Sequence, residues 1–376
     1  MYYAGYMSRL GTSVLIRSTI GTSEPRYKHA SEILRNVTNL TLHINWARSR
    51  EDTQNIHDKN RNVFNLPAPY GGGVRNYFAH LRFQIYAFRK LWFLKPQIIY
   101  ACDLDTFIPS FIYRIFRPVL LIFDQFDPLS ARVDNRFNRA FLDYFEITLV
   151  KKADIRITAN VQRIPLHLSE SWIEIKNLFP FYLGVDNQRV TQDGFQLFYG
   201  GILSRDRGLI DLINVVQKKK TWRIDIYGQG PDRDRLIMFT GTNVAIHDYL
   251  PHDKLMKRAQ SADLYVAQYD PTIRNNRLTA SNKLFEAAHL GIPLLTSKGT
   301  FLGDIVQKFK LGWAVSYGDS KEIASVLDEF VSLSEMQRAE MVSNLGYFFQ
   351  DEIQGQIVNI QILENRITSM TKSRRK

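Results

Sequence analysis

Cysteine is almost missing from this chain of 376 residues, since Cys102 is the only one. A lone thiol excludes an internal disulfide framework and favours a reducing, cytoplasmic setting. Long apolar runs are missing as well, because Arg, Lys, Asp or Gln interrupts each hydrophobic stretch before the roughly 18 residues that a spanning helix needs. No basic-then-apolar leader opens the sequence. We therefore expect a cytoplasmic protein without a membrane span, and peripheral attachment to a membrane stays open.

Acidic residues are few relative to basic ones. The chain has 49 Lys and Arg residues against 37 Asp and Glu residues, which gives a formal net charge of +12. Such an excess favours an anionic partner, which could be a nucleotide phosphate, an acidic lipid surface or a nucleic acid. Excess cations also keep many proteins soluble, so charge alone does not choose among these partners.

Short β-branched runs alternate with helical periodicity in two separate series. This alternation is typical of parallel sheets that helices cover on both faces. The predicted strands are 12–16, 40–46, 97–101, 119–123 and 155–158 in the first series, then 195–199, 222–227, 244–247, 263–267, 293–296 and 312–315 in the second. Two α/β domains follow from this pattern.

A stretch over 177–194, rich in Pro, Gly, Asp and Asn, is the predicted linker between the two series. The predicted domains are residues 1–185 and 186–345. Residues 346–376 form a C-terminal helix, which could pack back on the first domain, and a basic tail.

The first motif, FYGGILSRDRGLIDL over 198–212, takes a strand through two glycines into a helix. Glycine lets a backbone approach a phosphate, and a helix N-terminus offers free N–H groups to an anion. Arg205 and Arg207 could add charge-assisted bonds to a diphosphate. A glycine turn without a ligand is the alternative.

Two further motifs lie downstream. IYGQGP over 226–231 again places glycines at the end of a strand, where open α/β sheets bind ligands, although an ordinary tight turn fits it equally well. In the run from 269 to 297, Ser281 or Asn282 could cap a helix that carries Lys283 and Glu286. Glu286 could accept two ribose hydroxyls and Lys283 could meet a phosphate, or the two could form an exposed surface pair.

The order of these segments resembles one enzyme family. GGILSRDRGL, YGQGP, NVAIHDYLP, YDP and SNKLFEAAHLGIPLLTS together are similar to the C-terminal half of the retaining GT-B glycosyltransferases, in particular glycosyltransferase family 4. EPRYKHASEIL, PQIIYACDLDT, LLIFDQFDP and FEITLVKKADIRITAN match the N-terminal half more loosely. The resemblance implies an α/β GT-B architecture, with two Rossmann-like domains whose parallel sheets face a central cleft.

The resemblance also implies roles for particular residues. Arg207 and Lys283 would bind the donor diphosphate and act in catalysis, Glu286 would bind the ribose, and the sugar would lie beneath the turn over 279–282. Asp127 is expected to act with them in catalysis from its place after the fifth strand, although the family carries a different residue there. The remaining donor-binding residues implied in this way are Gly201, Arg205, Gly228, Gly230, Tyr249, Ser281 and Asn282. No cofactor and no essential metal are expected, because the nucleotide-sugar donor is a substrate.

Three departures from the family pattern bear on this assignment. Leu278 stands where many members carry a Glu, Ile202 stands where many carry an Arg, and the His that often follows the fifth strand of the first domain is not evident. In its place the sequence reads DQFD over 124–127. We expect Asp127 at the cleft and Asp124 in a structural role.

Three other features allow more than one interpretation. The Asp103-Leu104-Asp105 pair could hold a divalent ion, but its place before a helix favours Asp105 as an N-cap and Asp103 as a cleft-facing or loop acid. The triplet Gly71–Gly73 could touch a ligand or form a flexible loop. The predicted helix 74–95 mixes aromatic with basic residues, which suits an acidic lipid interface, a buried helix with snorkelling cations, or single-stranded nucleic acid. No nucleic-acid module accompanies it, so we expect no nucleic-acid partner.

The sequence therefore predicts a glycosyltransferase that moves a hexose-type sugar from a nucleotide donor to a saccharide or lipid-linked saccharide acceptor, with retention and without a metal. Such an enzyme would act in polysaccharide or glycoconjugate synthesis, in the cytoplasm or on the inner face of the membrane. Two alternatives stay open: a sugar-nucleotide epimerase of the same fold, and a non-catalytic partner subunit that keeps the fold.

Overall fold

The computed structural model describes residues 10–21, 24–49, 52, 58–68, 74–128, 136–164, 166–178, 194–279 and 281–374. The chain divides into two compact units. Unit 1 comprises Met1–Lys176 and Gln356–Lys376, and unit 2 comprises Asn177–Gly355. Most of the predicted linker and all of the Gly71–Gly73 triplet lie outside the described residues.

In its described part, unit 1 contains a parallel sheet of seven strands in the order β3-β2-β1-β4-β5-β6-β7. The strands are β1 (Leu10–Arg17), β2 (Thr38–Ala47), β3 (Arg61–Asn65), β4 (Ile98–Cys102), β5 (Leu120–Gln125), β6 (Ile155–Thr158) and β7 (Trp172–Glu174). Val14 in β1 pairs with Leu42 on one side and Ile99 on the other. The central strands β4 and β5 are buried along their whole length because both faces of the sheet are covered.

Helices cover the two faces of this sheet. The elements are α1 (Pro25–Val37), α2 (Val74–Leu94), α3 (Leu104–Phe116), α4 (Arg136–Val150) and the short α5 (Leu166–Ser169). One core contains the inner stripe of α2, including Phe83 and Leu91, together with Phe107 of α3. The other contains Leu34 of α1 and Leu363, which belongs to the last helix of the chain.

The described part of unit 2 contains a parallel sheet of six strands in the order β10-β9-β8-β11-β12-β13. The strands are β8 (Phe195–Gly200), β9 (Trp222–Tyr227), β10 (Val244–His247), β11 (Leu264–Ala267), β12 (Leu294–Ser297) and β13 (Gly312–Val315). The helices are α6 (Leu209–Val216), α7 (Arg233–Ile237), α8 (His252–Ala259), α9 (Arg274–Arg277), α10 (Asn282–Leu290), α11 (Phe301–Lys308), α12 (Ser320–Ser332) and α13 (Glu335–Ser373). The part of α13 from Gln356 onward belongs to unit 1.

The strand order of unit 2 predicts where on the sheet a ligand would bind. From β8 the chain moves outward to β9 and β10, and it then returns to the other side of β8 to form β11. The connections therefore diverge between the carboxyl ends of β8 and β11. Open α/β sheets bind their ligands in the crevice at such a switch point.

The sequence predicted most central strands to within one or two residues, but several elements differ. β3 and β7 were not predicted, because these edge strands are short and β3 is largely polar. The proposed N-cap role of Asp105 was wrong. Helix α3 begins at Leu104 with Asp103 at the N-cap, which puts Asp105 inside the first turn.

Candidate functional site

Two cationic side chains meet at the switch point of unit 2. The Lys283 ammonium lies 5.2 Å from the ring centre of Tyr199, the penultimate residue of β8. The Arg207 guanidinium lies 4.7 Å from the ring centre of Tyr269, which follows β11, and Lys283 lies 6.0 Å from the same ring. Tyr269 therefore has both cations as neighbours at the carboxyl edge of the sheet.

Lys283 is a half-buried cation, placed by the first turn of α10. A side chain at Gly201 would put its Cβ 2.7 Å from the Lys283 ammonium, so this glycine leaves room for the lysine. Burial lowers the pKa of Lys283, but Tyr269, Tyr199 and Glu286 outweigh that effect and the net pKa is raised. Lys283 is therefore charged at neutral pH, and within the described ranges no carboxylate forms an ion pair with it.

Arg207 is mostly buried and held by a neighbouring acid. Its Nη1 contacts Asp206 Oδ2 at 2.5 Å and donates to Asn276 Oδ1 at 3.1 Å. The Asn276 amide in turn donates to Asp206 Oδ2 at 2.8 Å, and Ser204 donates to the other carboxylate oxygen. Burial raises the pKa of Asp206, but these hydrogen bonds and Arg207 lower it more strongly. Asp206 thus orients Arg207 and joins the loop after β8 to α9.

Ser281 caps α10, which resolves the choice between Ser281 and Asn282. The Ser281 hydroxyl accepts from the Lys283 backbone N–H at 3.2 Å and lies 2.7 Å from the Tyr269 hydroxyl. Asn282 is the first helical residue and is half-buried. The N-terminus of α10 therefore lies beside Tyr269 and Lys283, where its positive end adds to the local field.

Glu286 is buried one turn further along α10. Its Oε2 accepts from the Tyr265 hydroxyl at 2.7 Å, and its Oε1 lies 3.1 Å from His252 Nε2. Burial raises the pKa of Glu286, but the contact with His252, the charge of Lys283 and the Tyr265 hydrogen bond together lower it. Each carboxylate oxygen has a second lone pair, so Glu286 keeps some capacity to accept further hydroxyls.

Gly228 and Gly230 have a packing role that their motif did not reveal. A Cβ at Gly228 would collide with the carbonyl oxygen of Gly201, and one at Gly230 would lie 2.7 Å from the backbone nitrogen of Leu203. Backbone bonds from Gly201 to Tyr227 and from Leu203 to Gln229 hold the two loops together. The close approach that these two glycines permit is therefore between the loops after β8 and β9.

Arg205 and Tyr249 lie away from the cationic pair. The Arg205 side chain is 82% exposed, and its Nε is 3.5 Å from Asp232. Tyr249 is exposed in the segment between β10 and α8. In the described structure, neither contacts Lys283, Arg207 or Glu286 through a hydrogen bond or an ion pair.

Asp127 belongs to unit 1, where it follows β5 as an exposed residue. Its backbone N–H donates to Asp103 Oδ1 at 3.0 Å, which fixes the start of this loop. Asp124 is buried, forms an ion pair with Arg26 and accepts from Tyr100 at 2.7 Å. Burial raises the pKa of Asp124 to about 6, although Arg26 and Tyr100 oppose it. These contacts fit the structural role expected for Asp124.

The Asp103 and Asp105 carboxylates point to different partners. Asp103 is buried, pairs with Arg17 and accepts the N–H groups of Phe126 and Asp127. Asp105 lies 3.5 Å from His80 Nδ1. Across the described residues, no group of three or more His, Cys, Asp or Glu side chains is placed to hold a metal ion. The same residues contain no helix with the length and apolar character needed to cross a bilayer.

Sequence reasoning missed several residues around the cationic pair. These are Tyr199, Asp206, His252, Tyr265, Tyr269 and Asn276. Tyr269 opens the YDP segment, and Asp206 lies between the two arginines of the first motif, so both could have been considered from their motifs. The contacts of His252 and Tyr265 with Glu286 join distant segments and leave no local signal.

Comparison with known proteins finds one family model that matches part of the chain, within unit 2. Residues 196–332 match the family model described as Glycosyl transferases group 1. A search of curated protein sequences finds no match.

Solved structures resemble the whole chain. HepE from Anabaena, in complex with UDP and glucose, is 14% identical over 96% of this chain and 99% of its own, with a TM-score of 0.64. Sucrose-phosphate synthase from Thermosynechococcus elongatus is 13% identical over 98% of each chain, with a TM-score of 0.67. The lipopolysaccharide outer core galactosyltransferase WaaB is 12% identical over 96% and 100%, with a TM-score of 0.63. At this identity the likeness shows the fold, and the predicted α/β GT-B architecture of two Rossmann-like domains is confirmed. The central cleft between the domains stays a prediction.

Proposed function

We propose that this protein is a glycosyltransferase that takes a sugar from a nucleoside diphosphate donor bound by unit 2. The observation that carries the proposal is the pair Arg207 and Lys283, which lie 4.7 Å and 6.0 Å from the ring centre of Tyr269 at the switch point of the sheet. Diphosphate is a dianionic group that needs two or more cationic neighbours, and the N-terminus of α10 adds to them. The family match over residues 196–332 supports the same function.

The chemistry follows from where negative charge develops. The bond from the anomeric carbon to the diphosphate oxygen breaks, and a bond to the acceptor hydroxyl oxygen forms. The departing diphosphate gains negative charge, which Arg207 and Lys283 stabilise, and it accepts the acceptor proton. Fixed cations that await developing charge lower a barrier more than they strengthen ground-state binding. Attack on the face that the diphosphate leaves gives retention, and this scheme requires no metal.

The other predicted residues take supporting roles in this proposal. Glu286 accepts ribose hydroxyls through its remaining lone pairs. The residues Gly201, Gly228, Gly230, Arg205, Tyr249, Ser281 and Asn282 border the donor. Asp127, exposed in unit 1, contacts the acceptor.

The acceptor in this proposal is a saccharide or a lipid-linked saccharide used in polysaccharide or glycoconjugate synthesis. The enzyme acts in the cytoplasm and attaches peripherally to the inner face of an acidic membrane. Two structural neighbours support this kind of reaction. HepE was crystallised with UDP and glucose, and WaaB is a galactosyltransferase of the lipopolysaccharide outer core.

A thermal-shift and calorimetric screen tests the proposal. Uridine, guanosine and adenosine diphosphates and their sugar conjugates are added to the wild-type protein and to the Lys283→Gln variant. A ligand that binds only the folded state raises its stability, so we expect one base to raise the melting temperature of the wild type and much less that of the variant. If no nucleotide raised the melting temperature or gave a binding signal in calorimetry, the donor site would be refuted.

A turnover assay then separates the alternatives. The responding donor is incubated alone and with a panel of saccharide and lipid-linked acceptors, and the products are analysed by mass spectrometry and NMR. Transfer only with an acceptor supports a glycosyltransferase, and the anomeric coupling constant reports retention. Conversion of the donor sugar alone would indicate an epimerase. Binding without any turnover would indicate a non-catalytic subunit, an outcome to which Leu278 lends weight.

A further inference from the structure

The outer surface of α2 and α3 in unit 1 is apolar where solvent-facing helix surfaces are normally polar. Phe93 is 78% exposed, Ile115 66% and Phe116 63%. We define the α2–α3 patch by six exposed side chains: Ile85, Trp92, Phe93, Ile112, Ile115 and Phe116. Large apolar groups clustered on a surface mark an interaction site more often than chance exposure.

Core packing does not account for this patch. The inner stripe of α2, which includes Phe83, Ala87 and Leu91, is fully buried against the sheet. The outer side of α2 therefore carries large apolar side chains in addition to those on its core side. Aromatic contacts join the two helices at the surface, with the ring centres of Trp92 and Phe116 6.1 Å apart. The exposed groups thus form one surface rather than scattered side chains.

The exposed charged side chains of these two helices are all basic. α2 contains no acidic residue, and the only one in α3, Asp105, is largely buried beside His80. Arg82, Arg89 and Lys95 are exposed around the patch, and no carboxylate in the described ranges forms an ion pair with them. The Arg117 guanidinium lies 5.0 Å from the Trp92 ring centre, so this cation borders the apolar groups directly.

Exposed apolar groups surrounded by cations favour one kind of partner over another. A second copy of the chain would bring the same cations against one another, which opposes self-association. A bilayer with acidic lipids offers hydrocarbon for the aromatic and aliphatic groups and anionic headgroups for the cations that surround them. We propose that the α2–α3 patch docks unit 1 on the surface of an acidic lipid bilayer.

The inference deepens the peripheral location included in the proposed function, but it does not depend on the transfer reaction. The proposed nucleotide site lies in unit 2 and the patch lies in unit 1. Lipid binding and nucleotide binding can therefore be measured separately on the same variants. Loss of lipid binding with intact nucleotide binding, and the reverse, are therefore distinguishable results.

The test is flotation of the full chain with vesicles of phosphatidylcholine alone and with vesicles that contain roughly one third phosphatidylglycerol, across a salt series. We expect binding to the acidic vesicles that weakens as salt rises, and little binding to the neutral ones. The double variant Phe93→Glu with Phe116→Glu should lose binding by roughly tenfold or more, because two apolar anchors are replaced by anions. Arg82→Glu with Arg89→Glu should also weaken binding and should flatten the salt dependence.

The matched control is Met336→Glu with Tyr347→Glu, which introduces the same two charges at apolar positions on α13 in unit 2 that are 80% and 75% exposed. Its vesicle binding should equal that of the wild type, and circular dichroism melts verify that every variant is folded. Wild-type protein that ignores acidic vesicles, or a Phe93/Phe116 variant that still floats, would overturn the proposal. The proposal would also be overturned if the wild type formed a dimer in solution and the Phe93/Phe116 variant were a monomer. Binding of an acidic protein or RNA in place of vesicles would overturn it as well.

Discussion

The Glu286→Ala substitution is expected to destabilise the protein before any ligand is added. Tyr265 is completely buried, and its hydroxyl donates to Glu286 Oε2 at 2.7 Å. Alanine would leave that hydroxyl buried without an acceptor, which costs about 1–3 kcal/mol. Sequence reasoning would assign the whole effect of this substitution to donor affinity and would expect an intact fold.

A double-mutant cycle isolates the cost of the stranded hydroxyl. The free energy of unfolding in urea is measured for the wild type, Glu286→Ala, Tyr265→Phe and the double variant. Because Tyr265→Phe removes the group that alanine would strand, the double variant should be more stable than the sum of the single effects predicts, by about 0.5–3 kcal/mol. Strict additivity would show that the Tyr265 hydrogen bond does not stabilise the fold and would refute this reasoning.

The ribose role needs a different comparison. Glu286→Gln keeps an acceptor for Tyr265 but removes the negative charge, whereas Tyr265→Phe keeps the carboxylate. If Glu286 binds ribose hydroxyls, calorimetry should show donor affinity falling by about 1.5–3 kcal/mol in Glu286→Gln, the range for hydrogen bonds to a charged group. Tyr265→Phe should bind the donor nearly as the wild type does. Equal donor affinity in Glu286→Gln and wild type would contradict the ribose assignment.

The same carboxylate predicts a pH dependence of stability. The folded-state pKa of Glu286 is lowered from its ordinary value of 4.5, since the His252 contact, Lys283 and Tyr265 outweigh burial. A lowered pKa contributes stability above the ordinary value, and that contribution is lost as pH falls through the folded-state value. The stability difference between wild type and Glu286→Gln should therefore narrow as pH drops below 4.5, and a difference that widens there would contradict the sign.

Arg207→Ala should lower turnover by roughly 10²–10³-fold with a smaller effect on the melting temperature, and Arg207→Lys should recover part of the lost turnover. If the arginine were purely structural, the alanine variant would instead have a lower melting temperature and normal activity per folded molecule. Lys283→Gln should weaken diphosphate binding more than nucleoside binding in calorimetry, and equal losses for both would argue against a phosphate contact. Gly228→Ala should cost about 1–3 kcal/mol in urea unfolding, because its Cβ would collide with the carbonyl oxygen of Gly201. Gly346→Ala is the matched control, since it lies within α13 with open space at its Cβ and should stabilise the protein by about 0.5–1 kcal/mol.

The sequence predicted the central strands well because their signal is local. The run 119–123, VLLIF, is apolar and lies between Pro118 and Asp124, so burial on both faces can be inferred without knowing the partner strands. The edge strand β3 carries Arg61, Asn62 and Asn65, and only its pairing with β2 reveals it. Tertiary pairing outweighs weak local preference at such edges.

The candidate site could be predicted only in part, for the same reason. Glycine turns and the capped helix α10 are local patterns, and they drew attention to Arg207 and Lys283. The link from Asp206 to Asn276 joins residues 70 positions apart, and His252 reaches Glu286 across 34 positions. No spacing rule predicts such contacts. They hold Asp206, the neighbour that orients Arg207, against α9, and they give Glu286 a structural role in addition to the proposed contact with ribose.

The long helix α13 has a consequence for the order in which the chain can fold during synthesis. Its first half supplies Leu345 and Phe348 to a core of unit 2, whereas its second half supplies Leu363 and Ile367 to a core of unit 1. One core of unit 1 therefore cannot be completed until residues 363 and 367 have been synthesised, which follows the synthesis of unit 2. Domains usually fold in order from the N-terminus as they emerge. Here a core of unit 1 is finished only after unit 2 has been synthesised, and a nascent chain stalled before residue 363 would expose Tyr27, Leu34 and Ile122 to chaperones.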